Sequence, residues 1–348
     1  MRIFKKILRP MCFLIVFILI NALLSFALRP FSGSGSEMWK GFDDKTDIDL
    51  IYTGSSLCLC DIDPASTDKV TGLSSYNMGT NMQSIQSSFF AIQRAVEEKN
   101  VKSVVLLIDP ETLEMDRTDN HRAEQCFVRN YADTKPFAQR ITTGFQFVTD
   151  PAFIGKSSSI GYLFPWTYDR TSGIGFNIRE KMSGTILDPA DHRDANGFYG
   201  SDEVLDSDVE LKHFNNAERW SIESGDLHVL VPDEKNVKTL EDIAEYCNGH
   251  NVKLYVITPP LRTSLTYYEW DSYRAMNDTI RNCLGSYGID YYNFTLIKED
   301  VFDLYDVSLY RDNTHFNSAG AERFSTLLGE FMLKCDSGED VSDMFYHY

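Results

Sequence analysis

The chain has 348 residues, with 33 basic and 51 acidic side chains that give a net charge of −18 at pH 7. Hydrophobic residues make up 43% and charged residues 24%, a balance that fits a packed globular protein and excludes a disordered, collagenous or multi-span membrane chain. So acidic a surface repels phosphate backbones and argues against nucleic acid as a partner.

The first thirty residues run against that charge. They hold Arg2, Lys5, Lys6, Arg9 and Arg29 and no acid, and removing this +5 from −18 leaves −23 on the rest. Met11 to Leu28 is an apolar run broken only by Asn21 and Ser25. At about 1.5 Å per residue it spans roughly 27 Å, close to the hydrocarbon thickness of a bilayer. The basic flank predicts a cytoplasmic segment over 1–10, a single transmembrane anchor over 11–28 and everything later outside the cell membrane. Ser25-Phe26-Ala27 also fits a small-x-small cleavage site, so a signal peptide is the competing reading. Both readings deliver an extracytoplasmic domain.

Ser32-Gly33-Ser34-Gly35-Ser36 predicts a flexible linker within 29–46, ahead of a domain over 47–335 and a short acidic tail over 336–348. Strands are expected at 49–53, ending abruptly at Gly54-Ser55-Ser56, and at 75–78, ending at Gly79. Helical periodicity follows over 84–98, and 101–108 contains an unbroken apolar run suited to a strand buried on both faces. Residues 113–232, rich in Asp, Asn, Gly and Ser, read as an insertion. Its aromatic residues Tyr162, Trp166 and Tyr168 offer flat faces for sugar rings, although a core of the insertion's own explains them better. Order resumes with a helix near 237–250, a strand at 253–258, a helix over roughly 264–287, a strand at 289–294 and a last helix over 318–334. Strand alternating with helix predicts an α/β fold with a parallel sheet covered on both faces.

In open parallel sheets, sites form at the carboxyl ends of strands. Gly54-Ser55-Ser56 stands at one such end, where a serine at the start of a helix has unpaired N–H groups beside its hydroxyl. A serine is also a common helix cap, so the motif alone carries little. The second end is Asp312-Asn313-Thr314-His315, just before the last helix. A histidine that accepts a proton from a nucleophile needs an acid to hold its other ring nitrogen, and an Asp three residues earlier can supply it. His192, flanked by Asp188 and Asp191, lies in a loop-like stretch and is the weaker candidate. No zinc spacing is present, since Cys58-x-Cys60 lacks a second pair, and Gly173-x-Gly175 lacks the rest of a dinucleotide fingerprint. Neither metal nor cofactor is expected.

Gly54-Ser55-Ser56, Asn77-Met78-Gly79 and Asp312-x-x-His315 together resemble the blocks of the SGNH/GDSL hydrolase superfamily, over roughly 47–112 and 235–335. The resemblance implies a flavodoxin-like three-layer α/β/α sandwich with Ser56 as nucleophile, His315 as base and Asp312 as the acid that orients it. It further implies an oxyanion hole that uses the backbone N–H groups of Ser56 and Gly79. The chain departs from the family twice. Ser55 stands where an Asp is usual in the first block, and Asp109-Pro110-Glu111-Thr112 replaces the Gly-x-Asn-Asp block whose amide donates to the oxyanion. An ionised Asp109 cannot donate, so Asn81 or Gln83, just past Gly79, is expected to substitute. Both departures and the anchor resemble the membrane-anchored branch that includes the teichoic-acid D-alanyl transfer and alginate O-acetylation proteins. That likeness implies acyl transfer or ester hydrolysis on a cell-surface glycopolymer or acylated carbohydrate, with a multi-pass membrane O-acyltransferase as partner. A secreted lipase or thioesterase acting on small lipids, and a non-catalytic scaffold of the same fold, remain the alternatives.

Overall fold

The computed structural model describes residues 2–28, 34–115, 124–151, 173–183, 193–206, 227–262 and 267–346. In chain order these form α1 (Arg2–Leu28), α2 (Ser34–Asp44), β1 (Leu50–Thr53), α3 (Ser56–Asp61), α4 (Pro64–Thr71), β2 (Ser75–Asn77), α5 (Ile85–Lys99) and β3 (Ser103–Leu107). There follow α6 (Pro110–Glu114), α7 (Glu124–Thr134), α8 (Phe137–Thr149), α9 (Ile174–Ser183), α10 (Glu234–Gly249), β4 (Lys253–Thr258), α11 (Trp270–Gly285), β5 (Tyr291–Asn293) and α12 (Ser318–Ser337).

The chain divides into two compact units. One comprises Met1–Glu37 with Thr118–His192, the other Met38–Arg117 with Arg193–Tyr348. In the first unit, α1 contains one segment, Lys6–Leu28, long and apolar enough to cross a membrane, and α9 packs against it. The stretch read as a flexible linker is partly the helix α2, and the second unit begins inside that helix, where Met38, Trp39 and Phe42 are buried. Likewise the second unit takes the chain back at Arg193, well inside the stretch read as an insertion. Tyr162, Trp166, Tyr168 and His192 lie outside the described residues.

The second unit is built on a five-stranded, all-parallel sheet in the order β2-β1-β3-β4-β5. The short central strands are apolar on both faces, as a sheet covered twice requires. Leu50 and Tyr52 of β1, Val105 and Leu107 of β3, and Tyr255 and Ile257 of β4 join one core cluster with Phe324, Leu328 and Phe331 of α12. By the two-residue alternation of strands, the equally buried Ile51, Val104, Leu106 and Val256 face the opposite way. On the helical layers, α4 packs against α12, while α10 packs against both α5 and α11. Local signals place the helix ends. Ser84 caps α5 by accepting the Ser87 N–H, Asn100 closes it at φ 55°, and Asn317 caps α12 by accepting the Gly320 N–H.

Two glycines, one after β1 and one after β2, let the backbone pass close to its neighbours. A Cβ at Gly54 would stand 2.8 Å from the Leu107 carbonyl oxygen, and one at Gly79 would stand 2.7 Å from both Cβ of Cys58 and the Leu59 nitrogen. These close approaches seat α3 against the ends of β1, β2 and β3, which fixes where its first residue, Ser56, emerges.

Candidate active site

The two carboxyl-terminal segments read from the sequence meet. Ser56 is the first residue of α3, directly after the Gly54-Ser55 turn that ends β1. His315 sits on the loop before α12, in a turn built by Asp312, whose Oδ1 accepts the N–H groups of Thr314 at 2.8 Å and His315 at 2.7 Å. The Ser56 Oγ lies 2.9 Å from His315 Nε2. His315 Nδ1 lies 3.1 and 3.0 Å from the two Asp312 oxygens. Residues 259 apart in sequence therefore share a hydrogen bond, with the ring held from its far side by a carboxylate.

Desolvation works to raise the Asp312 carboxyl. The hydrogen bond and charge of His315, with the N–H groups of His315 and Thr314, outweigh it and hold the group well below the usual carboxylate range. Arg311 adds an ion pair to Asp312 at 3.4 Å. The Arg311 guanidinium also donates to the Cys60 Sγ at 3.0 Å and lies 5.3 Å from the centroid of the Tyr199 ring. Tyr199 belongs to the 193–206 segment, and its own N–H donates to the Leu59 carbonyl of α3.

A cleft of about 340 Å³ opens beside the serine, lined by Ser56, Met82, Asp109, Glu111, Tyr268 and Thr314 among others. Asp109 is buried and accepts the Ser55 hydroxyl proton at 2.9 Å on Oδ2. The two departures noted in the sequence are thus partners: a hydroxyl donor at 55 faces a carboxylate acceptor at 109. Glu111 accepts from the Tyr268 hydroxyl at 3.3 Å, and burial with the nearby Glu111 and Asp109 pushes that phenol upward.

Two of the oxyanion donors expected around Gly79, its own N–H and the Gln83 amide, are engaged elsewhere. The Gly79 N–H donates to Asn77 Oδ1 at 2.9 Å. Gln83 is buried, and its amide nitrogen donates to Thr53 and Ser88, which leaves no donor for a ligand. Asn81 is exposed in the turn before Met82, and it is Met82 that lines the cleft. Each side chain follows its stronger local need: an amide in an apolar interior must spend its donors on protein groups. The N–H groups of Ser56 and Leu57 remain, because the first residues of a helix have no intrahelical acceptor.

Sequence reasoning did not find Asp61, which is buried at the end of α3. Its Oδ1 accepts the Phe316 N–H at 2.8 Å, and its Oδ2 has no hydrogen-bond partner. Burial pushes this carboxyl up to about 7 despite the opposing charge of His315, the Phe316 N–H and Arg311. Nothing in the spacing of Ser56-Leu57-Cys58-Leu59-Cys60-Asp61 marks the last residue as buried, since a polar residue at a helix end ordinarily faces water. Arg311 was equally silent, being one of many loop cations. Among the described residues no cluster of His, Cys, Asp and Glu fits a metal ion. Family models and curated protein sequences contain no match to this chain.

Proposed function

We propose that this protein is a serine-dependent acyltransferase or esterase of the SGNH type, anchored by α1, that acts outside the cell membrane on an acylated glycopolymer. The observation that carries the reading is the continuous line from the Ser56 hydroxyl through the His315 ring to Asp312. The strand order 2-1-3-4-5 supports the flavodoxin-like sandwich that the sequence resemblance implies, with the triad at the carboxyl ends of the strands. The basic residues ahead of Lys6–Leu28 support a cytoplasmic N-terminus.

In this mechanism His315 Nε2 takes the Ser56 proton as Oγ attacks the ester carbonyl carbon. Asp312 stays ionised and keeps the Nδ1 proton in place, so that Nε2 is the acceptor. The Ser56 and Leu57 N–H groups receive the negative oxygen of the tetrahedral intermediate. Collapse breaks the ester C–O bond, and His315 returns its proton to the departing alcohol, leaving an acyl group on Ser56. Water or a sugar hydroxyl then repeats the sequence in reverse roles. Tethering by α1 keeps this centre near acyl donors delivered through a multi-pass membrane partner, raising their effective concentration without any added contact.

Ser56→Ala tests the reading. The full chain in detergent should react with a fluorophosphonate probe and hydrolyse p-nitrophenyl acetate, and Ser56→Ala should lose both while keeping its melting temperature. Two observations favour a non-catalytic scaffold instead: Asp109 puts a carboxylate where a third oxyanion donor is usual, and the Gly79 N–H is spent on Asn77. Equal labelling of the wild type and Ser56→Ala decides for the scaffold.

The cleft also sets an acyl preference. A carboxylate on the acyl chain would meet Asp109 and Glu111 in a partly dry cleft, where a like charge at 4 Å costs roughly 1–4 kcal/mol. The acetyl ester of p-nitrophenol should therefore exceed its hemisuccinate in kcat/KM by about tenfold or more, and the gap should narrow as salt is raised. Equal rates for the two esters at low salt contradict the preference.

A further inference from the structure

The helix that starts with the nucleophile ends with a buried acid, and that acid grips the residue next to the catalytic histidine. Asp61 is the last residue of α3 and is 1% exposed. Its Oδ1 accepts the N–H of Phe316, which follows His315 directly. Phe316 is itself anchored in the core, where its ring packs against Tyr310, Phe302 and Phe324. Ser56 and Asp61 thus form the two ends of one rigid turn and a half of helix, each bonded to one of two consecutive loop residues.

The loop has few other ties at this point. The Arg311 N–H donates to the His315 carbonyl and the Asn317 N–H to the Leu309 carbonyl, which shape the loop internally but do not join it to α3. Arg311 reaches α3 through a hydrogen bond to the Cys60 sulfur and through its charge, which acts on Asp61. The Asp61 oxygen that accepts the Phe316 N–H therefore fixes the height of the His315 backbone above the serine helix. Leaving its second oxygen without a partner in a buried place is costly, and such groups persist where the surrounding structure gains from them.

We propose that Asp61 is a positioning residue of the triad, holding the His315–Phe316 backbone at the spacing that lets Ser56 and His315 share a proton. The inference rests on the triad reading above. A displacement of about 1 Å in such a pair costs on the order of 100-fold in rate.

The test uses the full chain in detergent with p-nitrophenyl acetate, with rates divided by the number of sites titrated with fluorophosphonate and measured well below the melting temperature. Asp61→Ala should lower kcat about 10- to 100-fold with KM within twofold. Asp61→Asn keeps an oxygen for the Phe316 N–H and should recover most of kcat. A purely structural Asp61 would lower the melting temperature of Asp61→Ala and leave kcat per titrated site at the wild-type value, which overturns the proposal. A second readout needs no turnover. In spectra of the chain labelled with ¹⁵N-histidine, the Nδ1 proton signal assigned to His315 by its loss in His315→Gln should persist in Asp61→Asn and weaken or vanish in Asp61→Ala. An unchanged His315 signal in Asp61→Ala also overturns the proposal. If Ser56→Ala labels as the wild type does, the catalytic reading fails on its own, and the histidine signal still decides whether Asp61 sets the ring.

Discussion

Asp312→Asn is expected to lower kcat by about 10³- to 10⁴-fold with little change in KM. The reason lies in proton placement rather than in lost binding. Asp312 accepts at three points: the backbone N–H groups of Thr314 and His315 and the ring Nδ1. An asparagine oxygen can keep the two backbone bonds, so the turn survives. Its amide NH₂ then faces Nδ1 and turns that nitrogen into an acceptor, which moves the ring proton to Nε2. In that tautomer Nε2 can no longer take the Ser56 proton. A triad that acts as a unit, as proposed, requires the Asp312→Asn/His315→Ala double variant to be no slower than His315→Ala alone. Pre-steady-state and steady-state hydrolysis of p-nitrophenyl acetate reads both effects. A loss in Asp312→Asn smaller than tenfold would remove Asp312 from its role.

The second large effect concerns stability and pH. Asp61 lies within reach of Cys58 and Cys60 on its own helix and of Tyr310, Arg311, Asp312 and His315 on the facing loop. Burial dominates, and the carboxyl moves from its ordinary 3.8 up to about 7. The folded state therefore holds this proton more tightly than the unfolded chain does. The stabilisation that it represents is complete below about pH 4 and is lost as pH rises through about 7. A displacement of that size corresponds to roughly 4 kcal/mol. Asp61→Asn cannot ionise, so relative to wild type it should gain several kcal/mol between pH 4.5 and pH 8. Urea denaturation of both proteins at the two pH values measures the gain. A stability difference between them that is the same at both pH values would show that Asp61 does not titrate in this range.

The sheet was legible because its strands are apolar and end at turn residues. Lys253–Thr258 matches residue for residue, and the other four strands fall inside the stretches read from the sequence, shortened at their ends. The overlong helix read over 264–287 starts at Trp270, where Glu269 caps it by accepting the Asp271 and Ser272 N–H groups. Periodicity alone could not place that start, because a glutamate cap looks like any helical glutamate. The meeting of Ser56, His315 and Asp312 was legible because Ser56 opens a helix after a strand and the other two stand in the loop just before the last helix. The engagement of Gly79 and Gln83 was not legible because spacing does not show where a side chain turns: Asn77, two residues away, folds back onto the Gly79 N–H, and Gln83 turns inward to Thr53 and Ser88. Asp61, Arg311 and the Ser55–Asp109 bond were invisible for the same reason. A pair 54 residues apart leaves no local trace.

The division of the sheet by an intervening stretch of chain has a consequence for biosynthesis. Strands β1, β2 and β3 are made before residues 118–192 of the other unit, and β4 and β5 only after them. At typical rates of elongation, β3 waits roughly ten to thirty seconds for β4. Throughout that time the Val104-Val105-Leu106-Leu107 edge has no strand to pair with, and the helix that buries its core face, α12, is still later. An apolar, β-branched edge held open for so long is a nucleus for aggregation. Ribosome-bound or translocon-associated holdases should therefore limit the yield of this protein more than its final stability does, and slowing translation before β4 should worsen it.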